Sequence, residues 1–113
     1  MHNKNKYDLS IFLVSKESGR RLINFLLEAG CSISPGLKNE KIYIDGYGST
    51  TCSLLICTTK SINETYDNLQ AIIVQEKIYC FGFVLADFRQ GSSKINGGFM
   101  PEKDESITNG PYR

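Results

Sequence analysis

A chain of 113 residues is long enough for one modest core and too short for two domains. Its hydrophobic fraction of 41% and charged fraction of 22% are those of a globular protein, and a formal net charge of +1 gives no electrostatic grip on nucleic acid or on an anionic membrane. The longest apolar run, Ile78 to Ala86, falls far short of the roughly 20 residues a membrane helix needs. The charged start leads into an alternating strand instead of a signal-peptide core, so a cytoplasmic protein is expected.

Leu9, Ile11 and Leu13 alternate with Asp8, Ser10, Phe12 and Val14, the period of a strand. Ser15 or Ser18 can cap a helix after it, and Glu17 suits the start of that helix. Leu22, Ile23, Leu26 and Leu27 then recur at helical spacing, and Gly30 supplies a left-handed stop. Cys31 to Ser34 restarts an extended segment that Pro35-Gly36 turns. Ile42 to Ile44 is a short β-prone piece, succeeded by an Asp45-Gly-Tyr-Gly-Ser49 turn and a strand from Thr50 to Thr59. Ser61 and Glu64 form a capping-box pattern, and Ile62, Tyr66, Leu69, Ile72 and Ile73 give a second helix its buried face. Ile78 to Phe88 reads as the last strand. From Arg89 the chain turns polar and rich in glycine and proline, too poor in apolar anchors to offset its ordering entropy. The expected organisation is a folded domain over 1–91 and a flexible polar tail over 92–113.

Strand, helix, strand, strand, helix, strand predicts a ferredoxin-like βαββαβ plait of the α+β class, an antiparallel sheet with two helices on one face. The other face of such a sheet is open, yet its strands are apolar on both sides. In the last strand Tyr79, Phe81, Phe83 and Leu85 oppose Ile78, Cys80, Val84 and Ala86, and in the third Leu54 and Ile56 oppose Leu55 and Cys57. Leaving several large side chains in water forgoes roughly 1.5–3 kcal/mol for each, so a second copy of the chain is expected to cover that face. Tyr79, Phe81, Phe83 and Leu85 are the expected oligomer interface.

The residues carry no catalytic constellation. The one histidine, His2, lies in the polar leader, and nothing pairs a nucleophile with a base. An enzyme is not expected. Of four cysteines, Cys31, Cys52, Cys57 and Cys80, the middle two are an odd number apart on one strand and so point to opposite faces. Neither metal binding nor disulfides are expected, and the thiols read as small buried hydrophobes. Phe81-Gly-Phe83-Val84 looks like the aromatic core of an RNA-recognition motif, but its neighbours are not basic, so nucleic acid is not an expected partner. Gly46 and Gly48 fit a tight loop as well as an anion-binding one.

Order and spacing together resemble the PII-like signalling proteins over about Tyr7 to Gly91. The likeness rests on Leu26-Leu-Glu-Ala-Gly30 closing the first helix, the short strand Cys31-Ser-Ile-Ser34, and the excursion after it. Leu54-Leu-Ile-Cys-Thr-Thr-Lys60 and the closing Gly82-Phe-Val-Leu85 complete it. The resemblance implies a trimer whose sheets line a common centre. It also implies a ligand between subunits, a nucleotide or other small anion, reported to a protein partner through the excursion loop Pro35 to Thr51. Gly36, Lys38, Lys77 and Arg89 are the ligand-binding residues it implies. The chain departs from the family's nucleotide binders at Gln75-Glu-Lys77, a turn without glycine, and by offering Arg89 alone where they place several basic residues. The rival expectation is an immunity or phage-type antagonist that binds and inhibits a partner protein.

Overall fold

Alternation sets the first strand, and its parity sets the core. The computed structural model describes residues 4–35, 40–44 and 47–101. In β1 (Asn5–Leu13) the odd residues Tyr7, Leu9, Ile11 and Leu13 are all buried, while the even ones remain at least partly accessible. The chain continues as α1 (Lys16–Glu28), β2 (Ser32–Pro35), β3 (Glu40–Ile44), β4 (Tyr47–Thr58), α2 (Ile62–Gln75), β5 (Cys80–Asp87) and β6 (Ser92–Asn96). The strands form one antiparallel sheet in the order β2-β4-β1-β5-β6, and β3 pairs with β4 beyond β2. The fold is α+β, an open antiparallel sheet with two helices.

Both helices begin where hydroxyl caps place them. Ser15 Oγ accepts from the Ser18 amide at 3.2 Å, and Ser61 Oγ accepts from the Glu64 amide at 3.2 Å. Each bond satisfies one of the donors a helix start leaves free. Gly30, at φ +89°, ends the first helix in the left-handed region as expected. The buried residues Leu22 and Leu26 of α1, with Leu69 and Ile73 of α2, pack on the odd face of β1 and its neighbours. Arg21, half-buried instead of solvated, donates to the Glu76 carbonyl at the end of α2 and ties the helices together.

On β4, Ile56 lies opposite Tyr7 and Leu54 opposite Leu9, so both enter the core, while Leu55 and Cys57 face the other way. The last strand departs from simple alternation. Phe12 pairs with Gly82 but Leu13 pairs with Cys80, leaving Phe81 as the extra residue of a β-bulge. Cys80 therefore joins Phe83 and Leu85 on the core side, at 0%, 1% and 0% exposure. The excursion before β4 is largely a β-hairpin, residues 40–44 pairing with 47–51, and β4 starts three residues before the expected Thr50.

The expected boundary at Gly91 is not where the ordered chain ends. Asp87 Oδ1 accepts from the amides of Arg89 and Gln90, Gly91 takes φ +67°, and β6 pairs back along β5 from Ser92 to Asn96. Beyond it Phe99 and Cys80 exchange two backbone hydrogen bonds of 2.9 Å, and the Phe99 ring stacks on Tyr79 with centroids 5.5 Å apart. Ser92–Asn96 and Phe99 belong to the sheet because its backbone ladder and an aromatic stack hold them, not because the segment is apolar. The rest of the expected tail, 102–113, lies outside the described residues.

The open sheet face as a candidate interface

Opposite the helices the cross-strand pairs lay out a second surface in rows. Lys6 stands beside Cys57; Leu55, Asp8, Ala86 and Ser93 form the next row. Ser53, Ser10, Val84 and Ile95 form a third, and Thr51, Phe12 and Gly82 a fourth. Apolar groups thus frame a strip of hydroxyls. Ile95 is 76% exposed, and Phe12, Leu55 and Val84 are partly exposed.

Two polar groups on this surface are poorly served. Thr51 is only 7% exposed, yet its Oγ1 has no hydrogen-bond partner. A buried hydroxyl without a partner costs about 1–3 kcal/mol. Asp8 lies between Leu55 and Ala86, and burial pushes its carboxyl above the usual carboxylate value. Lys6 precedes it by two residues on the same face and is exposed. Lys6, Asp8 and Ser10 of this surface are even residues of β1, a parity legible in the sequence but overshadowed by the aromatic run of β5.

The expected interface residues fall elsewhere. Phe83 and Leu85 are in the core of the single chain, Phe83 with its ring 5.4 Å from that of Tyr66, so neither can meet another copy. Tyr79 is stacked under Phe99, and Phe81 is half-buried at the bulge. Phe83 and Leu85 share a face as the two-residue period expects, but it is the face the helices cover, and the added residue at Phe81 brings Cys80 to that same side. With Phe83 enclosed, the Phe81-Gly-Phe83 segment does not present the pair of rings that stack bases in an RNA-recognition motif.

The expected ligand residues do not converge within one chain. Lys77 is exposed in the turn before β5, at φ +54°, and Arg89 is exposed in the turn after it. Eight residues of strand separate the two turns, roughly 26 Å at about 3.3 Å per residue. Gly36 and Lys38 lie outside the described residues. The shallow depression lined by Asp67, Gln70 and Val74 on α2 brings no cations together.

Cys52 and Cys57 do face opposite sides, Cys52 beside Ile11 in the core and Cys57 beside Lys6 on the open face. Among the described residues no group of three or more histidine, cysteine, aspartate or glutamate side chains could hold a metal ion. No helix among them is long and apolar enough to cross a membrane. No family model, curated protein or solved structure matches the chain.

Proposed function

We propose that this protein is a non-enzymatic regulator of the PII-like kind, a trimer of ferredoxin-like plaits that binds a small anion between subunits and signals to a protein partner. The observation that carries the reading is the open sheet face, apolar at its rim and bearing a buried hydroxyl without a partner. The strand order supports it as well. Taken without β3 and β6, the sheet runs β5-β1-β4-β2, with two helices crossing between its strands. In that reading β3 is an excursion built on the edge of the plait and β6 an addition to its other side. On the same reading the hairpin of β3 and β4 is the segment through which the regulator meets its partner.

Because Lys77 and Arg89 sit at opposite ends of β5, a ligand touching both draws them from different subunits. Each would contribute a charge-assisted hydrogen bond of about 1.5–3 kcal/mol. Calorimetry with ATP, a cyclic dinucleotide and bicarbonate tests this. Heat is expected with at least one, and Arg89→Ala should weaken binding at least about tenfold with little change in melting temperature, since Arg89 is exposed. No heat with any of the three overturns the ligand-binding reading and favours the antagonist of a foreign protein.

A further inference from the structure

We propose that the open face docks a second copy of this chain through a contact centred on β1, in which Lys6 of one copy meets Asp8 of its neighbour. The inference rests on the homo-oligomer of the proposed function and assigns its surface and its pairing.

Charge selects the occupant. Among the described residues of this face, Lys6 and Asp8 are the charged side chains of the central strands, one of each sign. Lys94 of β6 points to the helix side, its Nζ 5.1 Å from the centre of the Tyr66 ring. A polyanion or an anionic membrane would call for a basic surface, and the central strands here carry one charge of each sign. It is also self-complementary. The two groups lie about 7 Å apart along the strand, so a neighbouring face turned the other way sets cation against carboxylate. The pair forms twice across a two-fold contact and once per contact in a ring.

The hydroxyl of Thr51 gives a second, independent reason. Enclosed and without a partner in its own chain, it gains one from polar groups of the facing strip, where Ser10 stands two rows away from Lys6. Area agrees. Strands of 4, 12, 9, 8 and 5 residues, spaced about 4.8 Å apart and rising about 3.3 Å per residue, span roughly 600 Å², at the lower end of the ~600–1,000 Å² per partner of a stable interface. Phe12, Leu55, Val84 and Ile95 supply its apolar part.

Sedimentation of charge-reversal variants tests the assignment. Asp8→Lys sets like charges against Lys6 of the neighbour and should weaken association roughly a hundredfold or more. Lys6→Asp should do the same, and the double exchange Lys6→Asp, Asp8→Lys should restore it. Ile95→Glu, at a position so exposed that folding is undisturbed, should also dissociate the assembly. If the wild type associates and neither the reversals nor Ile95→Glu alters it, the copies meet elsewhere, and the pairing is wrong while the oligomeric reading stands. A wild type that stays monomeric overturns both.

Discussion

Phe83→Ala is expected to destabilise the chain by about 3–5 kcal/mol, the range for emptying a buried aromatic site. Phe83 is 1% exposed, lies opposite Ile11 in the sheet and packs its ring against Tyr66 of α2. Removing it opens a cavity at the point where helix, β1 and β5 meet, and a sheet pinned on both sides of that position cannot collapse into the space. For a domain of this size the melting temperature should fall by about 12 °C or more. Stabilities of about 5–15 kcal/mol for whole domains make this a large share of the total. Phe83→Glu, which brings a carboxylate into the same enclosure, should give insoluble or unfolded protein and not a soluble monomer. Thermal melts at several protein concentrations decide the matter. A variant that dissociates while its monomer melts as before would return Phe83 to an intersubunit surface.

Gly98→Ala should have the second large effect. Gly98 has φ +92°, and a Cβ there would stand 2.5 Å from the Cys80 carbonyl oxygen and 2.5 Å from the Phe81 carbonyl carbon. Both are backbone atoms of the bulge, which cannot swing aside as a side chain does. Backbone strain of about 1–3 kcal/mol is expected from the φ angle alone. The chain escapes it by releasing the Phe99 pairing, at about 0.5–1.5 kcal/mol for each of the two hydrogen bonds. Hydrogen exchange should therefore show the Cys80 and Phe99 amides opened while those of β1 stay protected. Unchanged protection at both would mean that Phe99 is not held by this close approach.

The same bulge is one place where the sequence misleads. Regular elements declared themselves: the odd residues of β1, the serine caps of both helices and the stop at Gly30 come from local chemistry, and each stands where those rules put it. A bulge leaves no mark on hydrophobic period, since Phe81-Gly-Phe83 reads the same with or without an extra residue opposite the Phe12-Leu13 step. β6 was hidden for a different reason. Its one large apolar side chain, Ile95, points outward, and its attachment comes from backbone pairing, from Asn96 Nδ2 donating to the Tyr66 hydroxyl at 3.0 Å, and from Lys94 over the same ring. Composition weighs apolar burial and so read this segment as a tail. At the ligand residues, which are expected to meet between subunits, strand direction sets their separation within one chain. Lys77 and Arg89 are near in sequence, and only the run of β5 between them shows that they occupy opposite ends of the sheet.

The central claim is that copies of this chain assemble through the face its helices leave bare. Light scattering coupled to size exclusion, run across a wide range of loading concentrations, measures that directly. A mass near three times the 12.7 kDa of one chain, steady on dilution, is the expected result; a mass of one chain at every concentration would contradict it.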